Sequence, residues 1–164
     1  MLLYHAMRHP ELFLILHNIR SAENVGAIFR TADAAGVRKI FLTGYSPLPI
    51  DRFGKVQSKI RKTALGAEMH VPWEHVSSVG TLMRRLAKEG TDVVAVEQDP
   101  GAKDYKRFVP DGPTALLFGN EVRGISKQLM KRCAVIVEIP MRGKKESLNV
   151  SVSAGIVLFR ILDR

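Results

Sequence analysis

Apolar and polar positions alternate along this chain in two patterns. Short continuous apolar runs predict buried strands, at Leu12–Leu16, Lys39–Thr43, Met69–Val71, Asp92–Val96, Thr114–Phe118 and Val135–Ile139. Apolar residues at helical spacing predict helices between them, at Ala22–Ala35, Val76–Glu89, Lys127–Arg132 (capped by Ser126) and Leu148–Leu162. The basic stretch Ile50–Ala67 predicts a short helix plus a loop. This alternation predicts an α/β fold, with a mostly parallel sheet flanked by helices.

The final predicted helix, Leu148–Leu162, is apolar nearly all round. A helix on a protein surface shows one apolar stripe, so this one needs cover on a second side. A second subunit would provide that cover, and we expect a homodimer through this helix. A central position in the core of one chain explains the pattern equally well.

Length and composition indicate one domain over residues 1–164. The 164 residues are 46% hydrophobic, which suits a chain with a real core. No apolar run reaches the length of a membrane span, and the single cysteine, Cys133, excludes an internal disulfide and predicts a small packed side chain. We therefore expect a cytoplasmic protein. His5 and His9 have helical spacing without a third ligand nearby, so no metal is expected.

The charge is strongly positive. Lysine and arginine number 25 against 16 acidic residues, for a net charge of +9. Such a bias in a short chain favours a polyanionic partner, above all nucleic acid, although a generally basic proteome would explain it too. The positive side chains form two local groups suited to phosphate contacts: Lys55, Lys59, Arg61 and Lys62, and then Arg142, Lys144 and Lys145.

Three polar loops follow predicted strands and enter helices, within Asn18–Arg30, Gly119–Ser126 and Ile139–Asn149. Ligands of parallel α/β sheets bind beyond the carboxyl ends of the strands, so the three loops predict one composite site. In the first loop Asn24 and Arg30 are expected on the same face near the helix start. An asparagine that caps the helix and an arginine that points into solvent would give the same sequence pattern. In the second, Glu121 is an acid/base group, an orienting acceptor or half of an ion pair. Neither loop has a phosphate-binding or dinucleotide fingerprint.

Together the loops resemble the SpoU-type RNA 2′-O-ribose methyltransferases of the SPOUT superfamily. The first motif of that family, N-x-x-S-A-x-N-x-G-x-I-x-R, corresponds to Asn18–Arg30. The second, a G-N-E-x-x-G loop, corresponds to Gly119–Ser126, and the third, I-P-M followed by S-L-N-V-S-V, corresponds to Ile139–Ser153. The stretch Lys62–Ala67 also resembles the family. The motifs occur in order and at the right spacing over nearly the whole chain. By comparison with other members of the family, we therefore expect one methyltransferase domain over residues 1–164 and no separate RNA-binding domain.

The resemblance implies a C-terminal deep trefoil knot, a homodimer and S-adenosylmethionine as cofactor. It assigns the catalytic positions to Arg30, Asn24, Glu121, Ser147 and Asn149. It assigns the cofactor contacts to Gly119, Ile139, Leu148, Met141, Phe118 and Glu97. The implied reaction transfers a methyl group to a ribose 2′-hydroxyl of RNA, with tRNA as the first expected substrate and rRNA as the second.

Other functions remain open at this point. A non-catalytic RNA-binding protein with the same fold would lack cofactor binding. An SPOUT enzyme acting on a base would share the fold, but Ser147-Leu148-Asn149 and the Asn24/Arg30 pair favour the ribose-modifying branch. A small-metabolite enzyme with a basic surface would not need RNA.

Overall fold

The computed structural model describes residues 10–163, which form seven strands and five α-helices. The strands are β1 Leu12–His17, β2 Lys39–Thr43, β3 Trp73–Val76, β4 Asp92–Val96, β5 Lys103–Asp104, β6 Thr114–Phe118 and β7 Val135–Glu138. The helices are α1 Ala22–Ala34, α2 Ser58–Ala64, α3 Val79–Lys88, α4 Lys127–Met130 and α5 Val150–Leu162. The predicted parallel α/β sandwich is confirmed.

The strands form one sheet in the order β3-β2-β1-β6-β4-β7-β5, and every neighbouring pair is parallel. The polar loops follow β1, β6 and β7, and these three strands lie together near the middle of the sheet, with only β4 between β6 and β7. Their carboxyl ends lie at the same edge of the sheet, since parallel strands all point one way. This order brings the three loops side by side.

Successive side chains of a strand point to opposite faces of the sheet, so they pack into two separate cores. In β1, Leu14 and Leu16 pack into one core, and Ile15 packs into the other. The first core also holds the apolar faces of α1, α2 and α5, and the second holds those of α3 and α4. Both faces of the sheet are thus covered, which explains why its central strands are continuous apolar runs.

The predicted strand Met69–Val71 is wrong. Residues Ala67–Met69 form a single 3-10 turn, and the strand lies at Trp73–Val76. The apolar-run rule missed this strand because it is on the sheet edge and half-exposed, so it carries polar residues. The next helix begins at Val79 rather than Val76, since the Ser78 side chain accepts a hydrogen bond from the Thr81 backbone N–H and caps it. The two-residue edge strand β5 was not predicted either.

The last helix begins at Val150, two residues later than predicted. Asn149 is its N-cap, and the Asn149 side chain accepts a hydrogen bond from the Ser151 backbone N–H at 2.8 Å. Ser147 and Leu148 therefore stay in the loop, where they are exposed. The cap thus leaves these two side chains available to a ligand.

Three further predictions concern single residues and absences. Cys133 is half-buried, and burial raises the pKa of its thiol to about 11, which suits an inert packed cysteine. Within residues 10–163 no helix is long and apolar enough to cross a membrane. The same residues contain no cluster of three or more metal-ligating side chains. His5 and His9 lie outside the described residues.

Helices α1 and α2 touch at Gly26. A Cβ atom at this position would lie 2.0 Å from the Thr63 hydroxyl and 2.4 Å from the Ile60 carbonyl oxygen. The hydroxyl can rotate away, but the carbonyl belongs to the backbone of α2. The glycine therefore sets the close approach of the two helices.

We expect Gly26→Ala to lower the free energy of unfolding by about 1–3 kcal/mol, because the added methyl group forces α2 away from α1. Gly155→Ala is the matched control: it lies inside α5, and its Cβ would meet the Thr31 methyl group at an ordinary 3.6 Å. Urea unfolding followed by the fluorescence of the single tryptophan, Trp73, measures both. A Gly26→Ala protein as stable as the wild type would show that α2 can move away from α1 at little cost in stability.

Candidate active site

A cavity of about 620 Å³ opens at the carboxyl ends of β1, β4, β6 and β7. Ten of the eleven residues predicted as site residues line it. They are Asn24, Glu97, Phe118, Gly119, Glu121, Ile139, Met141, Ser147, Leu148 and Asn149. The three polar loops, far apart in sequence, thus form a single site, as the strand order requires.

The Glu121 carboxylate joins the second loop to the first. Its Oε2 accepts a hydrogen bond from the Arg20 backbone N–H at 2.8 Å, and its Oε1 accepts one from the Ser21 backbone N–H at 3.0 Å. The Asn24 side-chain amide donates a third bond to Oε1 at 3.0 Å. Both oxygens are therefore occupied by donors at the start of α1, where the helix dipole also favours a negative charge.

These contacts decide the charge of Glu121. Partial burial raises the pKa of the carboxyl, but the hydrogen bonds from Arg20, Ser21 and Asn24 outweigh burial and lower the pKa below its ordinary value. A carboxylate held ionised by three donors is poorly suited to accept a proton near neutral pH. Among the three roles left open by the sequence, the geometry matches an orienting acceptor.

A chain of amides links the third loop to the same carboxylate. The Asn149 side-chain amide donates to the Asn24 side-chain oxygen at 3.1 Å, and Asn24 in turn donates to Glu121. The Asn149 oxygen meanwhile caps α5. Each asparagine uses both ends of its amide, so the ends of α1 and α5 and the second loop have fixed relative positions.

The end of β4 closes the other side of the cavity. Glu97 accepts hydrogen bonds from the Ile125 backbone N–H at 2.9 Å and from the neighbouring Gln98 N–H at 2.9 Å. The Gln98 side-chain amide donates to the Ile139 carbonyl oxygen at 2.7 Å. Glu97 and Gln98 thus tie the second and third loops to the sheet.

Arg30 does not line this cavity. It lines a second cavity of about 650 Å³ with Lys62, Thr63 and Phe159, among others. The expectation that Asn24 and Arg30 share a face was wrong, because six residues at 3.6 per turn place them about 120° apart around α1 and about 9 Å apart along it. Within residues 10–163 the Arg30 guanidinium has no hydrogen-bond or ion-pair partner.

Several residues of the cavity were not predicted. Gln98 lies just after β4, and Arg20, Asn120 and Val122 line the cavity within the first and second loops. Asn120 is buried, and its side-chain oxygen accepts hydrogen bonds from the Val122 and Arg123 backbone N–H groups at 2.9 and 2.8 Å. The position of Gln98 at a strand end was a signal for it, whereas the turn-forming role of Asn120 depends on the folded loop.

We expect Glu121→Gln to lower the free energy of unfolding at pH 7 by about 1–2 kcal/mol, since a neutral amide replaces a charged acceptor of backbone N–H groups. The pKa of Glu121 is lowered in the folded state, so its stabilisation is complete above the ordinary value of 4.5 and is lost as the pH falls through the lowered pKa. The stability difference between the two proteins should therefore shrink below pH 4.5.

Urea unfolding at a series of pH values measures this difference. Glu146→Gln, at an exposed position in the third loop, is the control for simple charge loss. A difference that stays constant with pH would contradict the bridging role of Glu121.

Comparison with known proteins agrees with this geometry. Residues 11–159 match the family described as the SpoU rRNA methylase family. A 23S rRNA (guanosine-2′-O-)-methyltransferase from Ralstonia nicotianae is 36% identical over 154 residues, covering 92% of this chain and 57% of the relative. This chain thus spans little more than half the length of that relative.

Two solved structures are similar over nearly the whole chain. An AdoMet-bound rRNA methyltransferase from Sinorhizobium meliloti has a TM-score of 0.84 at 29% identity, covering 94% of this chain and 56% of that one. A TrmH/SpoU tRNA-modifying enzyme from A. aeolicus has a TM-score of 0.81 at 26% identity, covering 95% and 76%. Since the family match includes all three loops of the cavity, the chain belongs to the SpoU rRNA methylase family.

Proposed function

We propose that the chain is an S-adenosylmethionine-dependent RNA methyltransferase that modifies a ribose 2′-hydroxyl. The observation that carries this proposal is the single cavity in which ten of the eleven predicted residues meet. The sequence relatives and the structural neighbours support it, because their names describe RNA methylation and one of them contains the cofactor.

The residues of the cavity suit S-adenosylmethionine. Phe118, Ile139 and Leu148 offer apolar surface for a flat base, and Leu148 remains 40% exposed at the rim. Glu97 and Glu121 contribute carboxylates, which favour a positively charged ligand. Gly119 has no room for a side chain, since a Cβ there would lie 2.7 Å from the Gly124 backbone. When bound, this cofactor supplies an electrophilic methyl group on a positively charged sulfur.

The polar residues would position the ribose. Asn149 and Asn24 hold each other and Glu121, so they form a rigid polar edge beside exposed Ser147. A preorganised edge of this kind aligns a hydroxyl without reorganisation during the reaction. Arg30 would bind the adjacent phosphate and stabilise the developing alkoxide, because a guanidinium stays protonated and is unsuited to act as a base.

Ribosomal RNA is the first substrate to test. From the sequence alone tRNA was the first expected substrate, but sequence relatives covering more than nine tenths of this chain are named for 23S rRNA guanosines. The similar A. aeolicus tRNA-modifying enzyme keeps tRNA as the second candidate. A cytoplasmic location remains a prediction from composition.

We expect calorimetry to detect S-adenosylmethionine binding, and labelled cofactor to transfer its methyl group to rRNA. Nuclease digestion and mass spectrometry of the product should locate the label on a ribose. Binding of RNA without binding of the cofactor would instead indicate a non-catalytic RNA-binding protein. Label on a base would assign the chain to a base-modifying enzyme.

The position of Arg30 supports a homodimer as part of the proposal. On α5, Val152 and Phe159 are 49% and 41% exposed and lie two turns apart on one stripe. Helices α1 and α5 both begin at the first cavity, and Arg30 lies further along α1 beside Phe159. A two-fold axis through the exposed face of α5 would place the end of this helix against the start of α5 in the other subunit. Arg30, which lies beside the end of α5, would then approach the cavity of the other subunit.

We expect Arg30→Ala to lower methyl transfer by at least about a hundredfold, through loss of charge stabilisation. Cofactor affinity should be unchanged, since the proposed contacts of Arg30 are with the RNA phosphate and the ribose oxygen rather than with the cofactor. A variant with substantial turnover would remove Arg30 from the proposed site.

A mixed dimer separates the two possible arrangements. One subunit carries Arg30→Ala and the other Asn149→Ala, and two affinity tags purify the hybrid. If Arg30 acts across the interface, the hybrid keeps one intact site and about half of the wild-type rate, whereas each single-variant dimer is inactive. An inactive hybrid would place Arg30 at the cavity of its own chain.

The proposed trefoil knot in the C-terminal part has indirect support. Helix α5 follows β7 in sequence but packs against α1, which follows β1, and two other strands, β6 and β4, separate β1 from β7 in the sheet. Its end also reaches the turn after β5, where the Arg160 guanidinium donates to the Lys106 carbonyl oxygen at 3.4 Å. Helix α5 thus contacts both an early helix and the turn after β5, as a threaded segment would.

A further inference from the structure

The segment 44–57, which connects β2 to α2, presents two exposed aromatic rings. Tyr45 is 60% exposed and Phe53 is 79% exposed. Arg52 and Lys55 flank Phe53, and both are exposed. The cofactor cavity proposed above uses none of these side chains.

The tip that carries Phe53 is held by its own hydrogen bonds. The Asp51 carboxylate accepts from the Phe53 backbone N–H at 2.8 Å and from the Lys55 backbone N–H at 2.9 Å. Ile50 and Val56 pair as an antiparallel bridge, and Gly54 takes a positive φ of 78° that closes the turn. The ring of Phe53 is therefore presented to solvent by an ordered turn.

Tyr45 is anchored beside the proposed active site. Its hydroxyl accepts a hydrogen bond at 2.9 Å from the side-chain amide of Asn120, which lines the cavity. Its backbone N–H donates to the Asn18 side-chain oxygen at 3.2 Å. The position of the Asn18 side-chain oxygen requires a glycine at residue 44, because a Cβ atom on Gly44 would lie 1.8 Å from this oxygen. Both ends of Tyr45 are fixed while most of the residue remains exposed.

The charge around the rings is positive. The Arg52 guanidinium lies 4.7 Å from the centre of the Phe53 ring, and exposed Lys55 follows on the same segment. The one carboxylate of the tip, Asp51, is occupied by backbone N–H groups. Exposed aromatic rings interleaved with cations suit single-stranded RNA, whose bases stack on the rings and whose phosphates meet the cations.

We propose that residues 44–57 form a platform for single-stranded RNA next to the methylated nucleotide. Tyr45 stacks on a base at the mouth of the cavity, Phe53 stacks on a base further along the strand, and Arg52 and Lys55 contact phosphates. This inference rests on the proposed function for its identification of RNA as the ligand, but its test needs no methyl transfer.

The test is the anisotropy of a fluorescein-labelled, mixed-sequence, single-stranded RNA of about 20 nucleotides, long enough for several stacked bases. Phe53→Ala and Tyr45→Ala should each weaken binding by about 5- to 100-fold, the usual loss for one stacked base. In both variants the slope of log binding constant against log salt concentration should stay the same, whereas Lys55→Gln should reduce the magnitude of that slope by about 0.7. Phe53→Trp should bind like the wild type because it keeps a stacking ring.

Val109→Ala, at an apolar position 55% exposed elsewhere on the chain, is the matched control and should change nothing. Unchanged affinity in Phe53→Ala and Tyr45→Ala would overturn the inference, as would a wild-type protein that does not bind the probe. If Phe53→Ala instead changes the particle mass by light scattering at unchanged affinity, the tip is a contact between subunits.

The methyl-transfer assay keeps the two proposals distinct. A wild type that binds the probe through Phe53 but methylates neither rRNA nor tRNA would refute the proposed function alone. If the wild type methylates RNA and the Phe53→Ala and Tyr45→Ala variants methylate it equally well, the platform alone would be refuted.

Discussion

The geometry of the candidate site depends on one carboxylate that holds two distant loops together. Glu121 accepts hydrogen bonds from backbone groups of Arg20 and Ser21, about a hundred positions earlier in the chain, and from Asn24. Through Asn24 the same carboxylate also orients Asn149 and the start of α5. Loops are usually the mobile parts of an α/β protein, so a charged bridge between them turns three flexible connections into one preorganised surface.

The electrostatics of the chain separate into an interior and an exterior part. Two carboxylates, Glu97 and Glu121, and one cation, Arg20, line the cavity of a protein whose net charge is +9. Most of the exposed positive charge lies elsewhere, on the segment around Lys55 and in the third loop around Lys144. A cationic cofactor in a cavity with more carboxylates than cations and a polyanion on a basic surface can then bind to neighbouring sites without competing.

Particular residues explain which predictions succeeded. The central strands, such as Thr114–Phe118, were predicted from sequence because burial on both faces leaves a continuous apolar run. The edge strand Trp73–Val76 was missed because exposure removes that pattern. Eight of the ten cavity residues were identified inside the motifs, and Phe118 and Glu97 were identified as neighbours at strand ends. The motifs mark the loops without locating them in space. The motif position of Arg30 was clear from the sequence, but its place relative to the cavity depends on the rotation and packing of α1.

The sequence by itself determined the fold class, the family and the loops that carry the chemistry, because these depend on local apolar patterns and short motifs. Only the tertiary structure decided the strand order that places β1, β6, β4 and β7 together. It also decided that Glu121 accepts hydrogen bonds, that Arg30 faces away from the cavity, and that Tyr45 and Phe53 are held in the open. These properties depend on contacts between residues distant along the chain, and no local pattern encodes such distances.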